Sequence, residues 1–111
     1  MKLRELKQQL VLVNLEGDGD THIKGMQSDS RRVSPGDLFI CLRGFTVDGH
    51  DFALQAMEQG AVALVTEERL SRVNVPQLIV PDTRKAMAVL SSYFFGNPSE
   101  NMTLIGVTGT N

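Results

Sequence analysis

Residues 26–52 read MQSDSRRVSPGDLFICLRGFTVDGHDF and combine a polar cluster, an apolar run and a glycine-bounded loop. The apolar run at residues 38–42 is typical of a strand covered on both faces. The loop at residues 44–50 begins where this strand ends. Because ligands of open α/β sheets bind outside the carboxyl ends of the strands, we predict that this loop belongs to a ligand-binding site.

The polar cluster at residues 28–31, Ser-Asp-Ser-Arg, offers two hydroxyls, a carboxylate and a guanidinium, which suit the polar edge of a ligand. The same residues can instead form a turn whose side chains bond their own backbone. Phe45 fits either stacking on a flat base or packing into the core. His50 lacks a Cys or Glu at metal-ligand spacing, so it fits a loop or helix-start role as well as a chemical one.

The flanking segments predict an α/β fold built on a small sheet. A strand–helix–strand order over residues 38–66 predicts a right-handed βαβ unit with parallel strands. Its helix is expected over residues 52–59, with Asp51 as its cap and Gly60 as its stop. Further strands are predicted over residues 21–27, 61–66 and 77–80.

Two more helices are predicted from apolar spacing. Residues 2–10 carry leucines on one helical face, while residues 11–15 fit either a continuation of this helix or a strand. Asp82 is expected to cap the last helix. Its apolar stripe is predicted to face the core and consists of Ala86, Val89, Leu90, Tyr93 and Phe94.

Composition excludes several classes of function. The chain has 111 residues, of which 41% are hydrophobic and 22% charged, so it suits one globular domain. A net charge of −2 gives no electrostatic footprint for nucleic acid or an anionic membrane. Cys41 is the only cysteine, which fits a reducing cytoplasm, and no apolar run reaches membrane-spanning length.

Four blocks in this order resemble the N-terminal part of the Mur ligases, and most of all the MurE type. The blocks are Ser28-Asp29-Ser30-Arg31, Pro35-Gly36-Asp37-Leu38-Phe39, Asp48-Gly49-His50-Asp51-Phe52 and Thr108-Gly109-Thr110-Asn111. The resemblance implies a domain over residues 1–98 that binds the UDP end of the substrate. Residues 99–111 would then be a linker, the first strand and the truncated start of an ATP-binding P-loop domain.

The resemblance also implies the reaction of an intact parent. Such a ligase uses ATP and Mg²⁺ to join a diamino acid through an amide bond to UDP-N-acetylmuramoyl-L-alanyl-D-glutamate in peptidoglycan synthesis. Meso-diaminopimelate is preferred over L-lysine as the diamino acid, which an absent C-terminal domain would bind. The 111 residues alone are expected to be an inactive monomer that binds no cofactor, nucleic acid or membrane.

Site residues follow from the matched motifs. Ser28 and Ser30 match positions that contact the uridine part in similar ligases. Residues Phe45, Thr46 and Val47 match a second contact segment, which often reads His-Gln-Ala in other members. Thr108, Gly109, Thr110 and Asn111 match the start of the ATP loop. No catalytic or metal-binding residue is expected in this chain.

Two alternatives remain open. One is the MurF type, which adds D-alanyl-D-alanine and has an N-terminal domain of similar plan. The other is a non-catalytic module that binds nucleotide sugars. A Gly-Lys-Thr sequence directly after Asn111 in the gene would support a ligase, and a stop codon there would support the module.

Overall fold

The computed structural model of the chain describes residues 2–43 and 48–95. These residues form five strands, three helices and two short 3-10 turns. The strands are β1 (Asn14–Glu16), β2 (Gly25–Gln27), β3 (Asp37–Ile40), β4 (Ala63–Thr66) and β5 (Gln77–Ile79). The helices are α1 (Leu3–Lys7), α2 (Ala53–Gln59) and α3 (Thr83–Phe95), and the turns are Ser30–Arg32 and Gly49–Phe52.

The five strands form one sheet in the order β1-β5-β4-β3-β2. Strands β2 to β5 are parallel neighbours, whereas β1 pairs antiparallel with β5 at the edge. The parallel pairing of β3 and β4 around α2 confirms the predicted βαβ unit. All four parallel strands therefore end at the same edge of the sheet, and the loops at this edge are available to build a site.

Two apolar clusters cover the two faces of the sheet. Side chains alternate along β3, so Leu38 and Ile40 pack with Leu90 of α3, while Phe39 packs with Ala56 of α2. Leu6 of α1 belongs to the same cluster as Leu90. Helices α1 and α3 thus lie on one face of the sheet and α2 lies on the other.

The predicted stop of α2 at Gly60 and the predicted cap of α3 at Asp82 are both confirmed. Gly60 adopts a φ of +119° at the end of α2, a conformation that glycine adopts without strain. Asp82 caps α3, since its Oδ1 accepts hydrogen bonds from the amides of Arg84 and Lys85 at 3.0 and 3.2 Å. The carboxylate of Glu67 adds a bond from the Thr83 amide at 2.9 Å.

The predicted start of α2 was wrong. Asp51 does not cap this helix, because residues 49–52 form a 3-10 turn that precedes it. The cap of that turn is Asp48, whose side chain accepts a hydrogen bond from the His50 amide at 2.9 Å. An aspartate at either position has the chemistry of a cap, and the tertiary contacts of Asp48 select between them.

Two other expectations need correction. Helix α1 ends at Lys7 rather than near residue 10, because Gln9 and Leu10 bond to carbonyls three residues back. Val89 is 43% exposed, so it lies at the margin of the α3 stripe rather than in the core. The predicted boundary after residue 98, and the linker, strand and loop start predicted within residues 99–111, lie outside the described residues.

Within residues 2–43 and 48–95, none of the helices combines the length and apolar character needed to span a bilayer.

Candidate functional site

A cleft of about 520 Å³ lies at the carboxyl edge of β2 and β3. Its walls come from both faces of the sheet, because α2 supplies Gln55 and α3 supplies Arg84. The described residues that line it are Ser28, Asp29, Ser30, Arg31, Phe39, Leu42, Gly49, Phe52, Gln55 and Arg84. The polar cluster and the apolar run within residues 26–52 therefore meet in one cleft.

The segment after β2 is a tight polar turn. The Oδ1 atom of Asp29 accepts hydrogen bonds from the Arg31 amide at 3.0 Å and from its Nε at 3.2 Å, and Oδ2 accepts from Nη2 at 3.2 Å. The Arg31 side chain and then its amide hold the pKa of Asp29 below its ordinary value, and the same pairing raises the pKa of Arg31. The predicted turn is therefore confirmed for these residues, which also line the cleft, and their contact with a ligand stays a prediction.

Ser30 is the buried member of the polar cluster, whereas Ser28 is exposed. The Ser30 hydroxyl donates to Oε1 of Gln55 at 3.4 Å. Its oxygen lone pairs remain able to accept a hydrogen bond from a ligand, and the Gln55 amide group has donors of its own. Ser30 and Gln55 therefore form a donor–acceptor pair beside the aromatic ring of Phe52, which lines the same cleft.

Residues 42–43 and 48–49, which flank residues 44–47, contact each other. Arg43 and Asp48 form an antiparallel bridge, with Nε of Arg43 3.2 Å from Oδ2 of Asp48. The Gly49 amide donates to the Leu42 carbonyl at 2.6 Å. Arg43 also reaches Oε1 of Glu67 at 3.5 Å. These bonds fix the separation of the two chain segments that flank the cleft.

His50 has a structural role in this geometry. Its Nε2 accepts a hydrogen bond from the Glu67 amide at 2.9 Å, so the ring proton is on Nδ1, which lies 2.6 Å from Oδ1 of Asp48. The side chain is 6% exposed. The imidazole thereby joins the 3-10 turn to the end of β4, which fits the loop role considered for His50.

Cys41 is buried behind the cleft and is not a candidate nucleophile. Burial, with a contribution from the negative charge of Asp48, raises the pKa of its thiol to about 12. Among the described residues, no group of three or more His, Cys, Asp or Glu side chains comes together to hold a metal ion.

The cleft is lined by predicted site residues and by residues that were not predicted. Ser28 and Ser30 lie in the cleft, and Arg31 lines it whereas Arg32 does not. Gln55 and Arg84 were missed, although Gln55 lies one helical turn after Phe52 and therefore shares its face. Phe45, Thr46 and Val47 lie outside the described residues, as do Thr108, Gly109, Thr110 and Asn111.

We predict that Asp48 makes the fold sensitive to acid. Burial opposes ionisation of Asp48, but the hydrogen bonds from His50, followed by the charges of His50 and Arg43, outweigh it and keep the pKa of Asp48 below its ordinary value. The unfolded chain therefore takes up a proton first, and stability falls as pH drops below about 5. Asp48→Asn should flatten the dependence of the unfolding free energy on pH between about 5 and 3.

Chemical denaturation at a series of pH values measures this effect. Asp51→Asn is the matched control, because Asp51 is an exposed aspartate three residues further along the same turn. Its pH profile should follow that of the unmodified chain. If the unfolding free energy of Asp48→Asn falls at low pH as steeply as that of the unmodified chain, the role assigned to Asp48 is contradicted.

Sequence comparison relates the chain to proteins of named function. The family model described as "Mur ligase family, catalytic domain" matches residues 22–95. A relative from Geobacillus thermodenitrificans, named UDP-N-acetylmuramoyl-L-alanyl-D-glutamate--2,6-diaminopimelate ligase, is 54% identical over all 111 residues. A Listeria monocytogenes protein of the same name is 46% identical over the same length. The chain spans about 22% of the length of these curated relatives.

Structural comparison agrees at the level of the fold. A crystal structure of MurF from Acinetobacter baumannii matches 83% of this chain and 20% of its own chain, with a TM-score of 0.73 and 30% identity. MurF ligase from Thermotoga maritima, solved in complex with ADP, matches 69% of this chain and 17% of its own, with a TM-score of 0.57 and 28% identity.

Proposed function

The chain belongs to the Mur ligase family, and from this premise we propose that it is the N-terminal part of a cytoplasmic MurE-type ligase. The intact parent would join meso-diaminopimelate to UDP-N-acetylmuramoyl-L-alanyl-D-glutamate in peptidoglycan synthesis. The names of relatives that are 45–54% identical support this choice over the MurF type. The two MurF structures described above match at 28–30% identity.

Within that reaction, we propose that this chain holds the UDP end of the substrate in the cleft at the carboxyl edge of β2 and β3. The observation that carries the proposal is the convergence of Ser28, Ser30 and Arg31 with Gln55 in one cleft. Binding energy from the non-reacting end of a substrate orients the reacting carboxylate far from it. The chain would therefore contribute to catalysis by orientation.

The cleft suits a uracil base for a chemical reason. Uracil presents one N–H donor between two carbonyl acceptors, and Ser30 with Gln55 supplies both kinds of partner within 3.4 Å of each other. Phe52 offers an aromatic surface in the same cleft. The proposal includes contacts from Phe45, Thr46 and Val47, which rest on the family resemblance alone.

ATP and Mg²⁺ are proposed as the cofactors of the intact parent ligase. The described residues include no cluster of three or more His, Cys, Asp or Glu side chains suited to Mg²⁺. The residues proposed to begin the ATP loop, 108–111, lie outside the described part. The role proposed for residues 2–43 and 48–95 is substrate binding.

Ser30→Ala tests the proposed binding site. The substitution should weaken UDP binding about tenfold, which corresponds to the loss of one well-made hydrogen bond. Isothermal titration or amide chemical shifts would give the dissociation constant. Ser34→Ala, which removes an exposed hydroxyl outside the cleft lining, is the matched control and should leave it unchanged. Equal UDP affinities for the Ser30 and Ser34 variants would contradict the assignment of Ser30.

A further inference from the structure

We propose that Arg84, in the first turn of α3, binds the diphosphate of the nucleotide ligand and so makes the cleft selective for UDP over uridine. This inference rests on the proposed function and names a residue that neither the sequence pattern nor the family resemblance pointed to. Arg84 lines the cleft from the face of the sheet opposite to α2. The proposed phosphate contact therefore lies on a different wall of the cleft from the proposed base contacts, Ser30 and Gln55.

Within residues 2–43 and 48–95, the Arg84 side chain makes one hydrogen bond. Its Nη2 donates to the Arg43 carbonyl at 3.2 Å, which fixes the guanidinium beside the end of β3. A guanidinium has five N–H donors, so one such bond leaves four for other partners. A guanidinium held in this way is suited to phosphate oxygens, because its planar fork can contact two of them at once.

The charges that line the cleft favour Arg84 as the anion contact. Among the described lining residues, Asp29 is the one acidic side chain, while Arg31 and Arg84 are basic. Asp29 holds Arg31 through Nε and Nη2, so the charge of Arg31 is largely balanced. Arg84 makes no ion pair with any carboxylate in residues 2–43 and 48–95, in contrast to Arg43, which pairs with three.

The backbone amides at the start of α3 do not offer an alternative anion site. Oδ1 of Asp82 already accepts bonds from the Arg84 and Lys85 amides, and Oε2 of Glu67 accepts from the Thr83 amide and hydroxyl. A phosphate would have to displace these carboxylates to reach the helix end. Of the two basic side chains in the first turn of α3, Arg84 lines the cleft whereas Lys85 lines a separate groove, so Arg84 is the one placed to meet an anion bound in the cleft.

Binding of UDP and of uridine to three variants tests the role of Arg84. Arg84→Gln should weaken UDP binding about 10-fold to 100-fold, as expected for charged hydrogen bonds, and change uridine binding by less than about twofold. Arg84→Lys keeps the charge without the fork and should give a smaller loss. Lys85→Gln is the matched control, because it removes the same charge one residue along the helix and lines a separate groove.

Each outcome is decisive once thermal melts show which variants fold. If Arg84→Gln does not fold, Arg84→Lys carries the comparison. Equal losses of UDP and uridine affinity, or UDP affinity that is unchanged in the folded variant, would overturn the proposed role of Arg84 and leave the proposed function intact. Failure of the unmodified chain to bind UDP would overturn the proposed function, and the role of Arg84 with it.

Discussion

Replacement of Phe39 by alanine is expected to lower the free energy of unfolding by about 3–5 kcal/mol. Phe39 is 1% exposed and packs with Ala53, Ala56 and Leu64 between the sheet and α2. Loss of the ring removes buried apolar surface and leaves a cavity that Ala53 and Ala56 are too short to fill. Because Phe39 also lines the cleft, UDP binding should weaken in the same variant.

Phe95→Ala is the matched control for this prediction. The same side chain is removed, but Phe95 is 68% exposed at the end of α3 and makes an edge contact with the ring of Phe94. Its loss should cost about 1 kcal/mol or less. Urea denaturation of both variants measures the difference, and comparable losses of stability would contradict the assignment of Phe39 to the core.

The second large effect is expected from Gly49→Ala. A Cβ atom at residue 49 would lie 2.6 Å from the Leu42 nitrogen and 2.7 Å from the Leu42 oxygen. Both are backbone atoms, so relief requires the two segments to separate and breaks the 2.6 Å bond from the Gly49 amide to the Leu42 carbonyl. The expected cost is about 1–3 kcal/mol, together with a shift of the cleft wall that weakens UDP binding.

Gly19→Ala provides the comparison. The nearest atom to a Cβ at residue 19 is Cδ2 of Leu15 at 3.0 Å, the end of a flexible side chain that can move aside. Thermal melts of the two variants should therefore show a clearly larger fall in melting temperature for Gly49→Ala. A Gly49→Ala variant as stable as the Gly19→Ala variant would show that the close contact between residues 42 and 49 does not constrain the fold.

Local chemistry explains what could be predicted from the sequence. The apolar run at β3, the stop at Gly60 and the cap at Asp82 each depend on residues within a few positions of one another. The same holds for Ser28 and Ser30, which reach the cleft because they follow a short strand directly. Such features require no knowledge of the rest of the chain.

The parts that were missed depend on distant contacts. Gln55 meets Ser30 across 25 positions, and Arg84 meets the Arg43 carbonyl across 41. Asp48 rather than Asp51 caps the turn because Asp48 also engages the His50 ring, whose Nε2 accepts from the Glu67 amide of another strand end. Sequence periodicity carries no information on these pairings.

The edge strand β1 illustrates the same limit. Residues 11–15 fitted either a helix or a strand, and the choice is made by antiparallel pairing of residues 14–16 with β5, more than 60 positions away. Val11 and Leu12, the first two apolar residues of this segment, are 96% and 70% exposed. A pattern of apolar residues fixes neither burial nor pairing at the margin of a sheet.

An amide chemical-shift titration of the chain with UDP, with ATP as the control, tests the central claim most directly. We expect UDP to shift the amides of Ser28, Ser30 and Gln55, together with those of residues 44–47 and the Gln55 side-chain amide, and we expect ATP to have little effect. Shifts confined to other surfaces, or no response to millimolar UDP, would contradict the assignment of this cleft to the UDP end of the substrate.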